Sequence, residues 1–346
     1  MAIPTVLVSS PACNQHDTGA GHPEGRARLP GILDAVRADP ALGEDVLERV
    51  LAPPVELEHV LRVHTREHVE RMRAAAERAA ANRVITWLDP DTAVSPASYE
   101  AALAAVGCAV EAADRVARGL ARTAFALTRP PGHHATPGEA MGFCLFNNVA
   151  IAARYLKARH GVERALIVDW DVHHGNGTQE VFWEDPSVYY LSLHLWPHYP
   201  GTGAASERGA GAGEGTTRNV PLPYGTSART YRACFDEALR GRRSRCFRPR
   251  WCSCPPGSTA SRAIRSVAFC SSRRTATPSP SISCSSRAPP PADVPWPCSR
   301  AVTCRSGWGA LPPTCCAPLL GCRRGLSRTG RCNSLPALTH EGGDPT

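Results

Sequence analysis

The sequence lacks any apolar run long enough to cross a membrane, although the chain has 346 residues. Its first residues, Met1 to Val8, carry neither a basic leader nor a long apolar core, so we expect no signal peptide and a cytoplasmic protein. Repeated C-x-x-C pairs are also missing, which argues against a zinc ribbon and against a secreted disulfide framework. The chain is long enough for one large α/β domain or two smaller ones.

Acidic residues and tyrosine are scarce in the last third of the chain. Residues 1–240 contain 23 basic and 28 acidic residues, whereas residues 241–346 contain 16 basic residues, 3 acidic residues and no tyrosine. Eleven of the 15 cysteines also follow Gly241. This Arg/Pro/Ser/Cys-rich composition, without a sustained period, does not favour regular strands and helices. We therefore predict a folded part at 1–240 and a low-order tail at 241–346. Nucleic-acid binding by the tail would rest on charge alone, so we expect no nucleic-acid partner.

Strand and helix patterns alternate along residues 1–240, which predicts a mostly parallel sheet covered by helices on both faces. A Gly-rich segment at 201–217 lacks the Lys-Ser/Thr of a phosphate-binding loop and is interpreted as a loop. The predicted strands are 6–8, 125–128, 165–169 and 188–194. The predicted helices are 24–37, 65–81 with Thr65 as N-cap, 96–120 with Ser95 as N-cap, 146–160 ending at Gly161, 178–183 and 227–240.

The most informative stretch is residues 168–177, which follows the apolar strand at 165–168. Side chains alternate along a strand, so Asp169, Asp171 and His173 are expected on one side as the strand ends. Two carboxylates and an imidazole at this position favour a site for zinc or another divalent ion. The alternative is a polar turn that caps the strand, but acids buried in a row would then need another counter-charge.

Several motifs, taken together and in order, resemble the zinc-dependent histone deacetylase family of the arginase/deacetylase superfamily, which includes bacterial deacetylases and acetylpolyamine amidohydrolases. The resemblance runs from about His16 to Leu239 and implies a three-layer α/β/α fold with a mostly parallel sheet, whose C-terminal part is incomplete here. On this basis residues 1–240 correspond to the N-terminal two thirds of a catalytic domain. The matching motifs are Pro131-Gly132-His133-His134, Gly142-Phe143-Cys144, Asp169-Trp170-Asp171-Val172-His173-His174-Gly175, His22-Pro23-Glu24 with Arg28, His64-Thr65, Asn147-Asn148, Ser192-Leu193-His194 and Tyr199-Pro200-Gly201-Thr202-Gly203.

The resemblance assigns roles to the polar residues. Asp171 and His173 match zinc ligands, while His133 and His134 match tandem catalytic histidines, of which we choose His134 as general base and acid. Asp169 matches the carboxylate that orients His133. Asn176 stands behind His134, where many relatives carry an Asp. An amide carbonyl is a poor electrophile at neutral pH, so the reaction needs a metal to polarise it and a histidine to move the proton.

Other residues acquire structural roles from the same resemblance. Gly142, Phe143 and Tyr199 match the walls of a narrow substrate channel, and an aromatic sleeve suits the aliphatic stem of an acetylated amine. A structural potassium ion is implied at Asp169, Asp171, His173, Ser192 and Leu193. For His22, His64 and His194, ordinary hydrogen-bonded loop histidines remain an equal alternative. Burial as a small apolar residue is the favoured interpretation of Cys144.

Two expected motifs are absent: an Asp in Gly-Phe-Asp, which would be the third zinc ligand, and a Tyr in Gly-Gly-Tyr, which would donate to the oxyanion. Back-translation offers an explanation. In one shifted frame, residues 252–269 can read Leu-Val-Ser-Ala-Gly-Phe-Asp and onward, and residues 295–303 can read Val-Ala-Val-Leu-Glu-Gly-Gly-Tyr. We hypothesise a frameshift near residues 240–245, genuine or from sequencing, so that the tail is out of frame.

The sequence supports two functional hypotheses. The first is a zinc-dependent deacetylase that acts on acetyl-lysine or small acetylated amines such as acetylated polyamines, with iron or cobalt as alternative metals and with little or no activity in the chain as written. The second is a non-catalytic remnant or binding protein that uses the surviving channel. Protein and small-molecule substrates both stay open, as does the oligomeric state, and no membrane partner is indicated.

Overall fold

A computed structural model describes residues 5–43 and 46–241, together with the backbone of one strand at Val267–Cys270. The chain separates into two units, Met1–Ser281 and Ile282–Thr346, and all described residues belong to the first. The predicted out-of-frame tail, apart from Gly241 and this strand, therefore lies outside the described residues. The predicted boundary near residue 240 stays a prediction.

The described part contains nine strands and seven α-helices. The strands are β1 (Thr5–Ser9), β2 (Leu47–Leu51), β3 (Thr86–Trp87), β4 (Ala93–Val94), β5 (Thr123–Leu127), β6 (Ala165–Asp169), β7 (Val188–Leu195), β8 (Thr217–Leu222) and β9 (Val267–Cys270). The helices are α1 (Arg28–Ala38), α2 (Leu57–Val60), α3 (Arg66–Asn82), α4 (Ser98–Ala117), α5 (Asn148–His160), α6 (Asn176–Val181) and α7 (Ala228–Gly241). Short 3-10 turns lie at Pro11–Gln15, Pro40–Leu42 and Gly211–Gly213.

Parallel pairing dominates, as the sequence predicts. One sheet has the strand order β2-β1-β5-β9 and another has the order β6-β7-β8, and every pairing within them is parallel. Strands β3 and β4 form a small antiparallel hairpin. The predicted α/β class is thus confirmed, with helices packed on parallel sheets. The described strands form two parallel sheets, rather than the single one expected from the alternating pattern.

The long helix α4 supplies much of the core because its apolar positions recur at helical spacing and are small. Ala101, Ala105, Ala109 and Ala112 are completely buried. Ala105 packs with β1 and β5, and Ala109 packs with α5. Small side chains at positions i, i+4 and i+8 allow neighbouring backbones to approach the helix closely, so one helix can serve both sheet and helix partners. None of the described helices combines the length and apolar character that crossing a bilayer requires.

Helix ends were predicted with mixed success. Thr65 caps α3 by accepting a hydrogen bond from the backbone N–H of His68, and Gly161 ends α5 in the left-handed conformation, both as predicted. The predicted start of α1 at Glu24 was wrong, because the carboxylate of Glu24 is instead buried against Arg129, and the helix begins at Arg28. Ser95 does not cap α4, which begins at Ser98. The Ser95 hydroxyl instead forms a hydrogen bond with the Ser98 hydroxyl.

Strand β6 is only partly covered, although its sequence is that of a buried strand. Among the described strands it pairs only with β7, and its apolar residues Ala165, Leu166 and Val168 remain partly exposed. The neighbouring strand β7 is buried along almost its entire length. Parallel strands are normally covered on both faces, whereas β6, the strand that ends in Asp169, is partly exposed.

Candidate active site

The polar segments that follow β5, β6 and β7 meet where these strands end. His133 follows β5, Asp169 is the last residue of β6, and Ser192 and His194 lie near the end of β7. Because β6 and β7 are parallel neighbours, their carboxyl ends share one edge. His133, which follows β5 of the other sheet, reaches this edge and contacts Asp169. The arrangement places a carboxylate, an amide and several imidazoles around one point.

The first catalytic pair predicted from the sequence is formed by His133 and Asp169. The Nδ1 atom of His133 lies 2.9 Å from Oδ2 of Asp169, which also accepts a hydrogen bond of 3.1 Å from the Tyr190 hydroxyl. Burial raises the pKa of Asp169, but the charge and hydrogen bond of His133 outweigh it and lower this pKa below its usual value. An ionised Asp169 accepts the Nδ1 proton of His133 and fixes the orientation of its ring.

The second pair is formed by His134 and Asn176. Nδ1 of His134 donates to Oδ1 of Asn176 over 2.9 Å, and the Asn176 amide also contacts the sulfur of Met141. Burial lowers the pKa of His134 well below its ordinary value, and the neighbouring His133 lowers it further. His134 is therefore neutral at physiological pH, with the lone pair on Nε2. The neutral amide of Asn176 raises the basicity of the His134 ring less than a negatively charged Asp at the same position would.

Asp171 and His173 are brought together as two potential metal donors. Oδ1 of Asp171 lies 3.0 Å from Nδ1 of His173, close enough for both atoms to contact one ion, and 4.0 Å from Nε2 of His133. Within the described part of the chain, however, no group of three or more His, Cys, Asp or Glu side chains is arranged to hold a metal. A catalytic zinc site uses three protein ligands. The described donors thus do not complete such a site.

Of the three predicted channel residues, Tyr199 and Gly142 lie against the His134 ring. The Tyr199 ring lies edge-on to His134, with 5.1 Å between ring centroids, and 5.9 Å from His173. Gly142 has a φ of +55°, and a Cβ added there would lie 2.5 Å from the His134 ring, so only glycine fits. Phe143 also has a positive φ, of 72°, and its backbone N–H is held by the Thr92 hydroxyl. Two of the predicted channel residues, Gly142 and Phe143, thus have left-handed backbone geometry, and the channel itself stays a prediction.

The residues predicted to hold potassium converge in part. Asp169 lies opposite Ser192 in the ladder between β6 and β7, and the side-chain Oδ1 of Asp169 accepts the backbone N–H of Asp171. Leu193, the next residue of β7, is buried. The potassium site itself stays a prediction.

The histidines left open by the sequence are engaged in hydrogen bonds. His22 contacts the carbonyl of Asp91 and the backbone N–H of Glu24, His64 accepts the backbone N–H of Asn147, and His194 donates to the carbonyl of Gly203. Cys144 is completely buried, and burial raises the pKa of its thiol. This agrees with its interpretation as a small apolar residue.

Two neighbours of the site were not predicted. The His198 ring stacks on His173 with 4.9 Å between centroids, and the half-exposed Trp87 of the hairpin lies 6.1 Å from His22. His22 in turn contacts Phe143 at 4.4 Å. Trp87 carries no sequence signal, because a two-residue strand is too short to show alternation. His198 directly precedes Tyr199, so its proximity could have been inferred from that position.

A polar network supports the loop that carries Tyr199. The Glu207 carboxylate accepts hydrogen bonds from the backbone N–H groups of Gly203 and Ala204 and from the side-chain amide of Gln179. Gln179 then accepts from Nε2 of His174, next to the metal-donor segment. These bonds give the Gly-rich segment at 201–217 a fixed course, and its last residue already belongs to β8. The segment predicted as a loop is therefore ordered by buried side chains at its base.

Comparison with known proteins finds a matching family profile and several related sequences. A family profile described as Histone deacetylase domain matches residues 22–260. The Synechocystis sp. protein slr0245 is 43% identical over 228 residues, which cover 65% of this chain and 71% of that protein. The Histone deacetylase-like amidohydrolase of Pseudomonas aeruginosa is 41% identical over 212 residues, which cover 60% of this chain and 53% of that protein.

A solved structure matches as well. The crystal structure of the HDA15 HD domain superposes with a TM-score of 0.58 at 38% sequence identity, covering 62% of this chain and 63% of that one. At this identity the likeness extends beyond the fold to much of the sequence. The chain nevertheless spans only about half to two thirds of the length of several relatives that it matches.

Proposed function

Because this chain belongs to the histone deacetylase family, we propose that the site at the ends of β5, β6 and β7 is a deacetylase site for acetyl-lysine or small acetylated amines. One observation carries the proposal. Two imidazoles, each held by a hydrogen bond from Nδ1, lie beside the donor pair Asp171 and His173. That combination provides proton transfer next to a metal position, which is what hydrolysis of an amide requires.

Proton handling is assigned to the tandem histidines. His134 is neutral at physiological pH, so its Nε2 can accept a proton from an attacking water and return it to the leaving amine. Asn176 fixes the ring orientation without adding charge. His133, backed by the carboxylate of Asp169, is better able to carry a positive charge and to stabilise negative charge that develops nearby. Tyr199, Phe143 and Gly142 shape the passage for the aliphatic stem.

The family uses a divalent metal, typically zinc, and we propose Asp171 and His173 as its donors in this chain, with iron or cobalt as alternatives. When bound, such an ion polarises the amide carbonyl and acidifies water. The two described donors alone make a weak site, because the missing third ligand lowers metal affinity. We further propose a structural potassium ion at Asp169, Asp171, His173, Ser192 and Leu193.

The chain as written is therefore proposed to be inactive or nearly so. It lacks the Asp of Gly-Phe-Asp and the Tyr of Gly-Gly-Tyr anywhere in its sequence. Loss of one oxyanion donor alone commonly costs about 100- to 1000-fold in rate, and loss of a metal ligand adds to this cost. We expect the protein to act in the cytoplasm, with an acetylated amine as its partner and no role for membranes or nucleic acid.

We attribute the missing motifs to a change of reading frame near residues 240–245, which leaves residues 241–346 out of frame. The partly exposed apolar residues of β6 support this, because a parallel strand of this composition is normally covered on both faces. The shifted reading of residues 252–269 supplies an apolar run that ends in the missing Asp. The two observations are independent, since one concerns packing and the other concerns codons.

Resequencing of the source DNA across codons 235 to 310 tests the frame directly. Both gene products, as written and with the frame restored, should then be purified and titrated with zinc and assayed on an acetyl-lysine peptide and an acetylated polyamine. We expect tight stoichiometric zinc binding and deacetylation only for the restored chain. Robust zinc-dependent deacetylation by the 346-residue chain as written would show that the inactivity proposal is wrong.

A non-catalytic role is the second candidate, supported by the contact of Tyr199 with the tandem histidines beside a donor set that the described residues do not complete. If the DNA confirms the sequence as written, the proposed channel could hold an acetylated amine without hydrolysing it. Equilibrium binding of an acetyl-lysine peptide to the chain as written would support this role. Lack of binding together with lack of zinc affinity would leave neither function in this chain.

A further inference from the structure

His64 and His68 form a buried pair beneath the segment that carries the tandem histidines. His64 directly precedes the cap residue of α3, and His68 lies in the first turn of that helix. The two rings are stacked with 4.8 Å between their centroids and are 2% and 0% exposed. Phe146 packs against both rings. The pair is thus enclosed in the core, where each polar atom needs a partner.

Three hydrogen bonds tie this part of the chain to the segment at 133–147. The backbone N–H of Asn147 donates to Nε2 of His64 over 2.8 Å, and Nε2 of His68 donates to the carbonyl of Leu145 over 2.8 Å. The backbone N–H of Thr65 donates to the carbonyl of Pro137 over 2.9 Å. The start of α3 therefore holds the tandem-histidine segment at two separate places.

These bonds also fix the tautomers. Nε2 of His64 accepts a hydrogen bond, so the proton of the neutral ring must be on Nδ1. Nε2 of His68 donates, so Nδ1 of that ring carries the lone pair. The Nδ1 atom of His64 is thus a hydrogen-bond donor, and the Nδ1 atom of His68 is an acceptor. This complementarity follows from their backbone partners alone.

Both of these Nδ1 atoms are buried, and neither has a hydrogen-bond partner of good geometry among the described residues. The carbonyl groups of Thr136 and Pro137 face the His64 ring, and that of Gly138 faces the His68 ring. A water molecule is the smallest group that can accept from one ring, donate to the other and give its second proton to a carbonyl. Buried waters typically make about three such bonds.

We propose that His64 and His68 bind one structural water, which links the first turn of α3 to the carbonyls of residues 136–138 directly after the tandem histidines. In this arrangement the pair acts as a positioning device for the catalytic segment. The inference does not depend on metal binding or on deacetylase activity, since it rests only on the buried pair and its backbone contacts.

The surroundings of the pair favour two neutral rings. His68 opposes a positive charge on His64 and Arg71 opposes one on His68, whereas Glu139 favours a charge on His68. Burial is the largest effect and lowers the pKa of both histidines, that of His64 to about 3. Both tautomers therefore persist across the physiological pH range, as a fixed donor and a fixed acceptor for the water.

Glutamine variants of the full chain test the bridge. In His64→Gln the side-chain oxygen can accept the Asn147 N–H, and in His68→Gln the side-chain amide can donate to Leu145, but each variant removes the nitrogen that faces the water. We expect each single variant to lower the thermal midpoint by about 2–8 °C, because one buried partner of the water is lost. The double variant should lower it no further than the more damaging single variant. Additive shifts would overturn the proposal.

Histidine-selective ¹⁵N NMR of the unsubstituted chain provides a second test that does not depend on the stability of variants. We expect one ring protonated at Nδ1 and the other at Nε2, assigned by the loss of signals in the two glutamine variants. The ring of His64, whose pKa is lowered to about 3, should not titrate between about pH 8 and about pH 5. A scalar coupling between the two Nδ1 atoms would reveal a direct bond and refute the water bridge, as would a matching tautomer on both rings.

Discussion

The ion pair between Glu24 and Arg129 offers a sharp test of the packing around the site. Arg129 is completely buried at the end of β5, and its Nε and Nη2 atoms lie 2.6 and 2.7 Å from the two oxygens of Glu24. Arg129 also donates to the carbonyls of His16 and Glu24, and Arg28 shares the carboxylate at 2.8 Å. The bonds join the loop that carries His22 to the strand that leads into His133.

The perturbation is Glu24→Gln, which keeps the shape and removes the charge. Breaking a buried pair by neutralising one partner leaves the other charge uncompensated and costs about 3–5 kcal/mol. A loss of about 3 kcal/mol corresponds to more than about a hundredfold in the unfolding equilibrium constant. In the double variant Glu24→Gln/Arg129→Met the buried charge is also removed, so much of the loss should be recovered.

Urea unfolding at neutral pH, followed by circular dichroism, measures the effect. The matched control is Asp34→Asn, which removes one partner of the exposed pair Asp34–Arg37 and should change stability little. If Glu24→Gln and Asp34→Asn have the same unfolding midpoint, the buried pair does not stabilise this region as argued. If the double variant is less stable than Glu24→Gln alone, the cost does not arise from an uncompensated charge on Arg129.

Two further predictions concern the loop that carries Tyr199 and the buried histidines. Gly203 has a φ of +99°, and a Cβ there would lie 2.5 Å from Nε2 of His194, whereas Gly201, with a φ of +91°, has no atom within 4 Å. In thermal unfolding, Gly203→Ala should therefore cost about 1–3 kcal/mol more than Gly201→Ala, and equal losses would contradict the crowding. Burial lowers the pKa of His16 and of His64 to about 3, so the unfolded chain, with ordinary values near 6.5, takes up protons first as pH falls. The stability that these neutral histidines give above about pH 6.5 should thus be lost progressively as the pH falls toward 3. Equal urea midpoints at about pH 7.5 and about pH 5 would refute this.

Local patterns predicted the strand that leads into the donors. The apolar run at 165–168, followed by alternating acids, indicated both β6 and the grouping of Asp169 with Asp171 and His173. Thr65 was recognisable as a cap because its hydroxyl is the type that satisfies a helix N-terminus. Such features depend on a few neighbouring residues, so composition and spacing contain the information. The parallel arrangement followed because strands alternated with helices.

Other features depend on partners that are distant in sequence. Glu24 looked like the start of a helix because its neighbours suit one, yet its carboxylate pairs with Arg129, which lies 105 residues away. The bonds from the His64–His68 pair to Leu145 and Asn147 likewise join segments that are more than 75 residues apart. A buried ionic or polar group needs a specific partner, and the residues next to it in sequence do not indicate which residue that partner is. Short elements such as the hairpin that holds Trp87 are missed because they contain too few residues for a period.

The proposed site has two halves that depend on different parts of the chain. The proposed acid–base half, His133 with Asp169 and His134 with Asn176, is supported by residues between 24 and 207. Among the described residues, the proposed metal half has Asp171 and His173, next to a strand whose apolar residues are partly exposed. We propose that the frame-restored residues would supply both the third donor and further packing for this strand. Restoring the frame should therefore raise zinc affinity and thermal stability together, and a rise in one without the other would separate the missing ligand from the missing packing.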